Sequence, residues 1–133
     1  MNPHYPLVSR RAQHRCEYCH APEAVFNFPF EVEHVLPSSR QGLDIESNLA
    51  LSCRVCNLRK SDLVQARDPE TETVVPLFNP REHRWESPFR VDADACVIQG
   101  LTPAGRATVD CLDLNSPTQL EARRQWMRLG LFP

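Results

Sequence analysis

A chain of 133 residues with 41% hydrophobic and 24% charged side chains has room for one compact domain, and this composition excludes disordered, collagen-like and membrane-embedded classes. The most apolar windows, such as Val74-Val75-Pro76-Leu77-Phe78, fall far short of the roughly 18 residues of a membrane span, and no charged-then-apolar leader opens the sequence, so a soluble, cytoplasmic protein is expected. A formal charge of -2 excludes a global basic field, so any nucleic-acid partner must be held by a local patch.

Taken in chain order, Leu7, Val8 and Ala12, with Arg10, Arg11 and Arg15 among and after them, predict a short basic helix over 5–13. Residues 26–36 mix aromatic and β-branched side chains with alternating polarity and predict strands, Pro29 marking an edge or break. Pro37 to Gly42 reads as a loop, and Ser47 as the N-cap of a helix running past the second cysteine pair towards Val64. Val74–Phe78, Phe89–Val91 and Cys96–Ile98 are strand candidates. Pro103–Leu112 and Pro117–Leu129 are helices, with Thr102 and Ser116 as caps, prolines in the first turns and Gly130 as the stop of the second. The expected organisation is a single domain over 1–133, with a core at about 8–66 and a C-terminal extension at about 67–133.

The six cysteines carry the strongest chemical signal. Cys16-Glu17-Tyr18-Cys19 and Cys53-Arg54-Val55-Cys56 are two C-x-x-C pairs. Each short turn can present two thiolates to one metal, so the pairs predict a tetrahedral, closed, structural zinc site. Cys96 and Cys111 lack such partners and are expected to be small buried hydrophobes. The 33 residues between Cys19 and Cys53 exceed the spacing of a plain zinc ribbon and contain Glu33-His34.

Cys-x-x-Cys, then Glu-His-Val-Leu-Pro, a Gly-containing loop, and Asn-Leu-Ala-Leu-x-Cys-x-x-Cys-Asn-x-x-Lys together resemble the HNH endonucleases of the four-cysteine type over about residues 8 to 64. The stretches Leu77–Arg81 and Leu101–Thr108 are also similar to segments C-terminal to the core in many bacterial members. The resemblance implies an α+β fold: a small zinc-stapled ββα-metal core with C-terminal short strands and two helices packed on it. It further implies metal-dependent hydrolysis of DNA phosphodiesters, with His34 as general base, Glu33 and Asn57 as ligands of a catalytic Mg²⁺ or Mn²⁺, and Asn48 bonding across the loop to hold the His-bearing strand. Many relatives have His at the position of Asn57, and Ser87-Pro88 stands where a polar residue and His precede the Phe in relatives.

Elementary chemistry is compatible with these roles. In-line displacement at phosphorus needs a base on the attacking side and a charge acceptor on the leaving side, and neighbouring residues of a strand point to opposite faces, so Glu33 and His34 can divide the two tasks. A carboxylate and an amide carbonyl suit a hard cation. Lys60, Arg59 and Arg54 are the expected phosphate contacts, and His83, Arg84 and Trp85 form a further basic-aromatic run. The alternative is a non-catalytic zinc-knuckle module that binds nucleic acid or protein. RNA as substrate, a homodimer and a protein partner all stay open at this level.

Overall fold

The computed structural model describes residues 1–133. Helix α1 (Tyr5–Arg11) has Pro6 in its first turn and buries Val8 against the centre of the molecule. The first knuckle comes next, Cys16 to Cys19, stitched by an isolated bridge between Arg15 and Pro22. Residues 26–30 are not strand. Phe26 packs edge-on against Phe28 and Phe30, with ring centroids 6.2 and 4.9 Å apart, because aromatic packing towards Trp126 takes precedence over strand pairing.

Strand β1 (Glu31–His34) pairs antiparallel with β2 (Leu49–Ser52), placing Glu33 opposite Ala50 and His34 opposite Leu49. This pairing corrects the expected helix start: Ser47 caps no α-helix, and Leu49-Ala50-Leu51-Ser52 is a fully buried strand. A run buried on both sides has no amphipathic period to distinguish strand from helix. Helix α2 (Arg54–Lys60) starts one residue after the strand, with the Cys53 sulfur as its N-cap accepting from the Cys56 N–H, and ends at Lys60, short of Val64. Together β1, β2 and α2 form the ββα unit.

The C-terminal half adds two hairpins and two helices. Strands β3 (Gln65–Arg67) and β4 (Val74–Pro76) pair, as do β5 (Phe89–Asp92) and β6 (Val97–Gly100). Helix α3 (Pro103–Cys111) is capped by Thr102, whose hydroxyl accepts from the Gly105 N–H, and packs on β3, β4 and β6. Helix α4 (Pro117–Arg128) is capped by Ser116 in the same way, and Gly130 stands just past it at φ +71°.

One cluster of buried side chains joins both halves. It includes the four knuckle cysteines, Tyr18 from the first knuckle, Leu49 and Leu51 from β2, and Phe78, Phe89, Ile98 and Trp126 from the extension. Trp85 donates its indole N–H to the Tyr18 carbonyl and stacks on His20, ring centroids 4.0 Å apart, so this residue of the basic-aromatic run buttresses the first knuckle. Glu17 ties the same knuckle to β2 and the extension at once, accepting from the Leu51 N–H and pairing with Arg81. A salt bridge from Asp68 to Arg106, 2.9 Å, clamps the β3–β4 hairpin to α3.

Candidate active site and metal centre

The sulfurs of Cys16, Cys19, Cys53 and Cys56 lie within 4.8 Å of one another and all four residues are buried. Cys19 and Cys53 sulfurs are 3.8 Å apart, far beyond a disulfide. That separation matches the edge of a tetrahedron with metal–sulfur bonds of about 2.3 Å. Backbone N–H groups of Cys19 and Cys56 point at the sulfurs of Cys16 and Cys53, each at 3.5 Å, which lowers the cost of thiolate charge. Hydrogen bonding with Cys16 and the other sulfurs holds Cys53 well below the ordinary thiol range and pushes Cys19 and Cys56 above it.

Arg123 of α4 is fully buried nearby: burial lowers its pKa, and its guanidinium donates to the carbonyls of Cys96 and Leu114 and to Asn115 Oδ1, which ties α4 to the segments around it. The donor set supports structural zinc. Cys96 and Cys111 lie outside it; Cys96 is buried with its sulfur 3.4 Å from that of Met127.

His34 sits at the end of β1, its side chain 28% exposed, with Nε2 3.1 Å from Asp44 Oδ1. Asn48 spans the loop between the strands. Its side chain accepts from the Leu36 N–H at 2.9 Å and donates to the carbonyls of Leu36 and Leu43 at 3.0 and 2.9 Å. Gly42 permits the close return of that loop, because a Cβ there would lie 1.7 Å from the Leu36 carbonyl oxygen.

Glu33 and Asn57, expected to share a cation, each bond to a different side chain. Glu33 points inward between β1 and α2, accepting from the Tyr18 hydroxyl and lying 3.6 Å from Lys60 Nζ. Asn57 donates instead to the carboxylate of Glu31, which also pairs with Arg54 at 3.0 Å. Each of the two is thus already paired with a neighbouring side chain. Strand alternation does put Glu33 and His34 on opposite sides, but α2 covers the side that carries Glu33.

The expected phosphate contacts need the same correction. Lys60 is 1% exposed and donates to the Val35 carbonyl, so it serves the interior as counter-charge to Glu33. Arg59 donates to the carbonyls of Leu112 and Asp113, fastening α2 to the end of α3. Of the three, only Arg54 stands mainly in solvent, 60% exposed. Asp44, His4, Tyr18 and Glu31, all in contact with site residues, carry no motif signal, and only the fold reveals them.

Burial, opposed by Lys60 and Tyr18, raises the Glu33 carboxyl from 4.5 to about 7. A folded-state pKa above the unfolded value means that the group's contribution to stability is fully present below the unfolded pKa and is lost as pH rises through the folded one. Relative to Glu33→Gln, the wild type is therefore expected to lose stability between about pH 5 and about pH 7.5. Urea unfolding of both proteins across that range measures this, and a difference independent of pH would contradict it.

Residues 16–63 match the family model described as HNH endonuclease. No curated protein and no solved structure matches the chain. The matched stretch contains both knuckles, β1 with His34, the Asn48-bridged loop and α2. From Cys16 to Leu63, then, the chain matches the HNH endonuclease family model, and its four buried cysteines fit the zinc type of that domain.

Proposed function

We propose that this protein is an endonuclease that hydrolyses phosphodiester bonds in DNA, with His34 as the general base. The observation that carries the reading is the state of His34 within the family-matched segment. It is the imidazole on the ββα unit that is both partly open to solvent and held from behind by a carboxylate. The base takes a proton from water, the water oxygen bonds to phosphorus, and the P–O bond to the leaving oxygen breaks.

Mg²⁺ or Mn²⁺ is the proposed cofactor, with Glu33 and Asn57 as its family-pattern ligands. That assignment carries a physical condition: Lys60 must leave the Glu33 carboxylate, since an ammonium already occupies the cation's place there. The binding-module alternative explains the zinc knuckles equally well, and activity separates the two.

The test is a supercoiled-plasmid assay on zinc-loaded protein, with Mg²⁺ or Mn²⁺ against EDTA, beside His34→Ala. Expected is nicking or linearisation that needs the added cation and falls at least about 100-fold in the variant. Wild-type protein inert on plasmid, single-stranded DNA and RNA at low salt would refute catalysis and favour a module that only binds.

A further inference from the structure

The strand–loop–strand segment brings His34 and Asp44 together, and the start of α1 sets His4 beside them. His34 Nε2 is 3.1 Å from one oxygen of Asp44, and His4 Nε2, just before α1, is 3.7 Å from the other. We propose that Asp44 is the positioning residue of His34: it fixes the ring as the Nε2–H tautomer and leaves Nδ1 bare to take the proton from water. This rests on the nuclease reading of His34 given above.

An ionised carboxylate can only accept hydrogen bonds, so its neighbour at 3.1 Å must donate. The donor is Nε2–H, and in a neutral imidazole Nδ1 is then the acceptor. When Nδ1 gains the proton the ring becomes a cation, and the Asp44 charge stabilises it, as the carboxylate does in a Ser-His-Asp triad. Atoms and charges balance at each stage. Water loses a proton to Nδ1, its oxygen bonds to phosphorus, the leaving oxygen departs with the electron pair of the broken P–O bond, and the imidazolium later returns its proton to solvent.

Asp44 is 64% exposed, so its own side chain contributes little to its fixity. The backbone that carries it supplies the rest. Asn48 holds both ends of the loop with one side chain, gripping Leu36, two residues after His34, and the carbonyl of Leu43, immediately before Asp44. The Gly42 N–H adds a bond to the Pro37 carbonyl, 2.9 Å. Asn48 thus fixes the separation of base and carboxylate as well as the loop. His4 Nε2 flanks the second oxygen at 3.7 Å, beyond hydrogen-bond distance, so the direct hold on the carboxylate is its contact with His34.

The test uses the full-length, zinc-loaded protein in three forms: wild type, Asp44→Ala and Asp44→Asn. Imidazole ¹⁵N–¹H correlation spectra near pH 8 report the His34 tautomer, and plasmid nicking gives kcat and KM. The wild type is expected to show Nε2–H. Asp44→Ala, an exposed substitution that keeps zinc content and melting temperature, is expected to show mixed tautomers and a kcat about 10- to 100-fold lower at unchanged KM, less than the roughly 10⁴ of a buried triad aspartate. Asp44→Asn retains a carbonyl acceptor, so the tautomer should persist while kcat recovers only in part. A wild-type Nδ1–H tautomer, or Asp44→Ala with unchanged tautomer and kcat, overturns the proposal. If the wild type proves inactive, the nuclease reading fails by itself, and the spectra still decide whether Asp44 sets the ring.

Discussion

Replacing Cys53 with serine is expected to abolish the folded state. Cys53 occupies three positions at once: its sulfur belongs to the four-sulfur cluster, it caps α2, and it joins β2 to that helix. Structural zinc contributes on the order of 10–16 kcal/mol of apparent binding energy in small zinc domains, which equals or exceeds the roughly 5–15 kcal/mol by which a domain is stable. A serine oxygen can still cap α2 by accepting from the Cys56 N–H, but it cannot replace the thiolate in the four-sulfur cluster, so the loss falls on the metal site. Circular dichroism and zinc stoichiometry read the result, and a strong chelator acting on wild-type protein should reproduce it. A cooperatively folded, zinc-free variant would show that the hydrophobic cluster suffices without metal.

The second large effect is expected at Lys60. Lys60→Met removes the ammonium from a site where Glu33 is 5% and Lys60 1% exposed, and it leaves the carboxylate facing only the Tyr18 hydroxyl. Above about pH 7, where Glu33 is ionised, breaking the buried pair from one side costs up to about 3–5 kcal/mol, and at lower pH the carboxyl takes up a proton and the cost shrinks. The Val35 carbonyl loses its donor too, and this residue is the next after His34. The double variant Glu33→Gln/Lys60→Met, with no charge left to strand, should recover much of the loss. Urea unfolding of the two singles and the double gives the coupling energy, and additive effects would show that the charges do not depend on each other.

The parts of the fold legible in the sequence are those specified locally. Two C-x-x-C pairs declared the cysteine cluster, and the Thr102-Pro103 and Ser116-Pro117 starts located α3 and α4 to within a residue or two. Leu49–Ser52 was illegible as a strand because every residue in it is buried, so no polar position marks a period. The inward turn of Glu33 and Lys60 was hidden for a related reason. Alternation along β1 says that two faces exist, but which of them α2 covers depends on how the helix leaves Cys53. Asp44 and His4 lie ten and thirty residues from His34 in sequence, and only the loop strapped by Asn48 and the placement of α1 bring them to it.

The anchoring of the first knuckle bears on how far sequence similarity can be equated with an autonomous part. Similarity stops at Leu63, yet Glu17 is paired with Arg81, the Tyr18 carbonyl is held by Trp85, the Tyr18 ring meets Phe78 edge-on, and Arg59 is tied to the end of α3. A cut at the end of the recognisable motif would pass through every one of these bonds. The stretch that matches the family model and the unit that holds together mechanically therefore have different borders, and contacts from beyond the match brace the matched half.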